Sequence, residues 1–174
     1  MKKLAKLTAL LLTGVMLLLL ASCGAAPNPG GSSGLTAAEA KAKREIFNAI
    51  NEVRKDKGMP SLREVPKLTQ LEQEFIEHFR EAGTKGIPNS EARKLEEELA
   101  NKQKNAGWQF TGGITYSYSV SSAKLGNVYE GDTEAFRKML SIFSVEDAST
   151  ALSIGVVTIE GKIYWTATTL KPIT

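Results

Sequence analysis

The chain has 174 residues, 42% hydrophobic and 24% charged, with 15 glycines and six prolines, a balance that excludes disordered, collagen-like and multi-span membrane chains and fits one globular domain. Its formal charge of +3 comes from 22 Lys and Arg against 19 Asp and Glu, and Lys2, Lys3 and Lys6 all precede the first acid, Glu39; the rest of the chain is balanced, with no basic excess to bind a nucleic-acid backbone. One cysteine and one histidine exclude an intrachain disulfide, a multi-cysteine zinc site, a redox Cys-x-x-Cys pair and a multi-histidine metal centre.

Residues 1–22 follow the plan of a secretory signal: three lysines, an apolar run from Leu7 to Leu20, then small residues. The run is shorter than the ~20 residues a membrane-spanning helix needs, and Gly24, Pro27 and Pro29 follow it. A retained transmembrane anchor is the alternative. Leu20-Ala21-Ser22-Cys23 resembles the lipobox of bacterial lipoproteins. That resemblance implies cleavage before Cys23 and a diacylglycerol, with palmitate-like chains, on its sulfur; the other reading is a free thiol in a secreted protein. Each buried methylene contributes ~0.8 kcal/mol, so two or more acyl chains anchor stably. Residues 24–35, uncharged and rich in Gly, Pro and Ser, read as a flexible tether.

The folded domain is expected over 36–174. Thr36-Ala-Ala-Glu39 is a capping-box pattern, and Ile46, Phe47, Ile50 and Val53 recur at helical spacing up to Gly58 and Pro60, predicting a helix over Ala37 to Lys57. Ser61 to Val65 reads as extended. Pro66 opens a second helix with the stripe Leu68, Leu71, Phe75 and Phe79, closed by Gly83. A third helix is predicted over Ser90 to Asn105, with Glu91 in its first turn and Lys102 and Lys104 in its last. The period then changes: Ile114, Tyr116, Tyr118 and Val120 alternate with polar residues as a half-buried strand does. Asp132 can cap a fourth helix carrying Phe136, Met139, Leu140 and Phe143. Ser153 to Ile159 and Ile163 to Thr169, joined by Glu160-Gly161-Lys162, form an antiparallel hairpin. The order describes an α+β domain.

Three stretches resemble the CAP superfamily, the SCP-like group of cysteine-rich secretory proteins, venom antigens and pathogenesis-related proteins. They are Ile46-Phe-Asn-Ala-Ile-Asn-Glu-Val-Arg54 through Lys57-Gly-Met-Pro60 to Pro66-Lys-Leu-Thr69; Asn105-Ala-Gly-Trp108 with Thr111-Gly-Gly-Ile-Thr115; and Ile154-Gly-Val-Val157 with Ile163-Tyr-Trp-Thr166. The resemblance implies a three-layer α-β-α sandwich with a small antiparallel sheet. Family members commonly carry two histidines and two acids in a central cleft. Here Thr111-Gly112-Gly113-Ile114 stands where Gly-Glu-Asn-Ile is usual, and neither family histidine has a counterpart, so the resemblance implies a cleft without metal, cofactor or catalytic residue.

His78, on the edge of the second helix's apolar stripe, reads as a structural or surface histidine. Glu72, Glu74, Glu77 and Glu81, and Glu96, Glu97 and Glu98 on the third helix, read as solvated faces. Ser121-Ser-Ala-Lys124 matches Ser-x-x-Lys but lacks the partner elements of penicillin-interactive enzymes. Gly112-Gly113 reads as a tight turn or a close backbone approach, which in the resembled fold faces the cleft; Tyr116 and Tyr118 read as core or as the wall of a groove. Gly112, Gly113, Tyr116 and Tyr118 are thus the candidate ligand contacts, and Cys23 the lipidation site. The expectation is a lipoprotein on the cell membrane or outer membrane, facing out of the cytoplasm. Its domain would bind a small apolar ligand, an envelope component or a protein without catalysis. The alternatives are an envelope hydrolase with a divergent carboxylate or serine site, and a purely structural protein.

Overall fold

The structure, a computed structural model, describes residues 34–114, 117–131, 137, 138, 140 and 148–174. The expected signal segment, Cys23, most of the tether and Tyr116 lie outside these residues, as does most of the expected fourth helix. Of that helix, Arg137, Lys138 and Leu140 are described as helical, with Leu140 buried.

Helix α1, Ala37–Asp56, begins with the capping box read from the sequence. Thr36 Oγ1 accepts from the Glu39 amide at 3.2 Å, and Glu39 Oε2 accepts from the Thr36 amide at 2.9 Å. Gly58 follows the helix at φ +71, a conformation that costs glycine little. The chain is then drawn back along α1. Asn51 accepts from the Leu62 amide at 2.7 Å and donates to the Leu62 carbonyl at 3.1 Å, while Arg54 Nε donates to the Pro60 carbonyl at 2.9 Å. Strand β1, Arg63–Glu64, comes next, and Pro66 occupies the first turn of helix α2, Pro66–Ala82, where its missing N–H leaves no helical bond unmade. A 3-10 turn, Gly83–Lys85, and strand β2, Ile87–Pro88, lead into helix α3, Asn89–Asn105.

Strands β3, Trp108–Ile114, β6, Ala151–Ile159, and β7, Lys162–Pro172, form with β1 a sheet of order β1-β6-β7-β3. The hairpin β6-β7 turns through Glu160 (φ 48) and Gly161 (φ 77), two left-handed residues in succession as a tight hairpin requires. Strands β4, Ser117–Tyr118, and β5, Ser122–Lys124, form a second small sheet with β2, in the order β2-β5-β4.

Alternate residues of β6 face different helices. Leu152, Ile154 and Val156, with Trp165 and Ala167 of β7, pack against Ile46, Ala49, Ile50 and Val53 of α1. Ala151, Gly155, Val157 and Ile159 turn to α2, where Leu68 and Ile76 meet them. A β carbon on Gly155 would stand 2.7 Å from the Glu72 carbonyl oxygen, so glycine lets α2 lie directly on the strand. Helix α3 packs beside α2 through Ala92 and Leu99 against Leu71, Phe75 and Phe79, and reaches the sheet through Gln103.

The class is α+β, as expected. Two expectations change. The main sheet is mixed rather than antiparallel, because β1 runs parallel to β6. The strand expected over 114–120 is divided: Ile114 ends β3, Ser117–Tyr118 form β4 of the second sheet, and Val120 is exposed beyond it, while Gly112-Gly113, which could be read as a tight turn, lies within β3, paired with Thr169 and Thr168. The register shifts at Thr111 between Phe110 and Gly112, a bulge that breaks the alternation on which strand recognition depends. The close-approach reading holds at Gly113, where a β carbon would stand 2.9 Å from the Ala167 carbonyl oxygen.

Candidate functional site

Among the described residues, no three His, Cys, Asp or Glu side chains converge to hold a metal ion. His78 is exposed on α2, above a hollow of about 20 Å3 shared with Glu74, Glu98 and Lys102, room for little beyond one water. Ser121 is exposed in the turn between β4 and β5, and Lys124 lies three residues on along an extended chain. That spacing turns two side chains to opposite faces, whereas on a helix it would bring them together. Gly112 is half-buried and Gly113 exposed; Tyr118 pairs with Ala123 in the small sheet.

Glu74 and Glu81 are exposed, as expected of a solvated face, but Glu72 is not. It is wholly buried between α2 and the sheet. Its Oε2 accepts from Thr168 Oγ1 at 2.8 Å and Ser153 Oγ at 3.3 Å; these two hydroxyls lie 2.6 Å apart, and Gln103 of α3 donates to Thr168 from 3.3 Å. Burial pushes the Glu72 carboxyl up to about 7, against the opposing pull of the Thr168, Thr166 and Ser153 hydroxyls. Among the described residues, neither Thr166 Oγ1 nor Glu72 Oε1 has a hydrogen-bond partner of regular geometry. A carboxyl titrating near neutrality beside a serine has the composition of an acid-base pair. It lies sealed between helix and sheet, so this arrangement organises the core and offers a substrate no approach. Glu72 stands four residues from both Leu68 and Ile76, squarely in the apolar stripe. That spacing, with Ser153, Thr166 and Thr168 at inward strand positions, is the signal that could have found the cluster.

The described hollow of ligand size lies elsewhere, with a volume of about 690 Å3, within the range of small-molecule sites. Its floor and walls come from Ala38 and Ala42 of α1, Val128 and Tyr129, and Ile163 of β7. Local structure explains the opening. The row of α1 that carries Ile46 and Ile50 continues toward the helix start as Ala42, which is buried, and Ala38, which is exposed at the rim, so less side chain fills the space between the helix start and the hairpin. The opposite wall is tied to β7: the Tyr129 amide donates to the Ile163 carbonyl at 2.8 Å, and the Trp165 amide donates to the Asn127 carbonyl at 3.0 Å. Tyr129 also donates its hydroxyl to the Glu45 carboxylate. These residues are far apart in sequence and belong to no recognisable motif.

The chain matches no protein-family profile, and no curated protein matches it.

Proposed function

We propose that this chain is a membrane-tethered bacterial lipoprotein whose CAP-like domain binds a small envelope ligand without transforming it, in the hollow between the start of α1 and the base of β7. The observation that carries this reading is the contrast of access. The ligand-sized hollow is open, whereas the carboxyl and hydroxyl groups with the chemistry of an acid-base pair are sealed in the core. Helices on both faces of the sheet support the α-β-α sandwich, and the lipobox-like Leu20-Ala21-Ser22-Cys23 supports the tether.

Two measurements test it. Expressed in bacteria, the full chain should partition into membranes and detergent phase, and Cys23→Ala should release it; equal partition of both forms defeats the anchor. Ala38→Trp introduces a bulky ring at an exposed position on the rim of the hollow. It should abolish saturable binding of envelope-derived small molecules, detected by native mass spectrometry, while leaving the fold intact. Multiple turnover of any such molecule, lost in Glu72→Gln, would instead favour the hydrolase.

A further inference from the structure

On the reading that this hollow is the binding site, we infer that it takes a small zwitterion, a free amino acid or short peptide, with the ligand's ammonium group at Glu130 and its carboxylate at Lys162. Four charged side chains border the hollow. Two are already engaged: Lys41 lies 3.8 Å from Glu45, and Glu45 also accepts from Tyr129. Glu130 and Lys162 are exposed, and neither forms an ion pair among the described residues. Among the described lining residues, the free charges at the rim are thus one negative and one positive. A ligand of either net charge would satisfy one and leave the other facing it unpaired, whereas a zwitterion satisfies both.

Backbone geometry leaves both ends approachable. Glu130 is followed by Gly131 at φ +92, and Lys162 is preceded by Gly161 at φ +77; nothing lies within 4 Å of where a β carbon on either glycine would stand. Between the charges, the walls of Ala38, Ala42, Val128 and Ile163 are small or branched and apolar, suited to an aliphatic side chain and short of hydrogen-bonding groups for a sugar. The segment bearing Val128 and Tyr129 is hydrogen-bonded to β7, so the site is formed before the ligand arrives.

Titration of the full chain in detergent micelles with alanyl-alanine, followed by calorimetry, tests the assignment. Saturable binding is expected, weakened at least about tenfold by N-acetylation or by C-amidation, the loss of one charge-assisted contact. Lys162→Met should weaken the free dipeptide and have no further effect on the C-amide; Glu130→Gln should weaken it and have no further effect on the N-acetyl form. Equal binding of free and doubly capped dipeptides, or no binding of either, overturns the zwitterion. A neutral apolar fluorescent probe, N-phenyl-1-naphthylamine, read against protein-free micelles, separates the two failures. If it binds and is displaced by Ala38→Trp while no dipeptide binds, the ligand class falls and the hollow stands; if it does not bind, both fall.

Discussion

Among the described residues two glutamates have no solvent exposure, and they differ in almost everything else. Glu39, at the start of α1, accepts from the Thr36 amide and hydroxyl, from the Thr158 amide at 2.7 Å, and from Arg80 at 3.0 Å. Burial alone would raise its carboxyl; the hydrogen bonds from Thr36 and Thr158, with the Arg80 guanidinium, outweigh that and hold it below the usual carboxylate range. Glu72, at the centre of α2, has only hydroxyls within reach, no cation, and one oxygen without a partner, and its carboxyl is pushed up to about 7. Burial sets the penalty on a charge, and the number and kind of donors decide whether it is overcome. Glu39 is a charged tie between the start of α1, the end of α2 and the end of β6, while Glu72 is stable in the core chiefly as a neutral acid.

The largest effect is expected at the tie. Glu39→Ala leaves Arg80 without its buried partner and the Thr158 amide without an acceptor, and should cost about 4 kcal/mol in urea unfolding at pH 7. Because the folded-state pKa of Glu39 is lowered, its contribution is present above the unfolded value of 4.5 and lost as pH falls through the lower folded value. The gap between wild type and variant should therefore narrow in acid. A gap that stays constant down to strongly acidic pH would mean that packing, not charge, carries the tie.

Glu72→Gln should act in the opposite direction. The folded pKa of about 7 lies above the ordinary glutamate value of 4.5, so between these values the folded state holds more protons than the unfolded chain. Stability falls as pH rises across that window. The whole shift is worth on the order of 3 kcal/mol. The variant should thus gain on wild type by about that amount between pH 4.5 and pH 8, read from urea midpoints, and parallel curves would show that Glu72 is not the group that titrates.

Gly155→Ala probes what keeps Glu72 dry. The added methyl would stand 2.7 Å from the Glu72 carbonyl oxygen and 2.9 Å from Ile76 Cγ2, so α2 must lift, at about 2 kcal/mol for overpacking. Water reaching the carboxyl should then flatten the pH slope between 4.5 and 7. Loss of stability with the slope unchanged would place the cause of the high pKa somewhere other than the tight contact of helix and strand.

The same contrast marks what could be read in the sequence. Glu39 was legible through the capping box, which depends on residues three apart, and so were α2 from Pro66 and Gly83 and the hairpin from Glu160-Gly161. Its contacts with Arg80 and Thr158 were not legible, since they join positions tens of residues distant. Glu72 was read as solvated because glutamate on an amphipathic helix is usually exposed, and its place between Leu68 and Ile76 was outweighed by its charge. Strand β3 was displaced in the sequence reading because adjacent glycines signal a turn, whereas here both lie within the strand and Gly113 serves the close approach to β7. The hollow could not be seen at all, since it arises where alanines on one element face a loop and a hairpin from elsewhere in the chain.

Thr36→Ala separates the local part of the Glu39 tie from the distant part. The substitution removes the hydroxyl that donates to Glu39 Oε2 at 3.1 Å and accepts from the Glu39 amide at 3.2 Å, but the Thr36 backbone amide still donates. A lost N-cap side chain costs about 1 kcal/mol, well below the figure expected for Glu39→Ala. The remainder belongs to Thr158 and Arg80, and the Thr36→Ala/Glu39→Ala double variant should cost less than the two single losses added together, because the cap bond is counted in both. If Thr36→Ala alone equals Glu39→Ala, the buried carboxylate is a helix cap and nothing more, and its contacts with β6 and α2 do not contribute to stability.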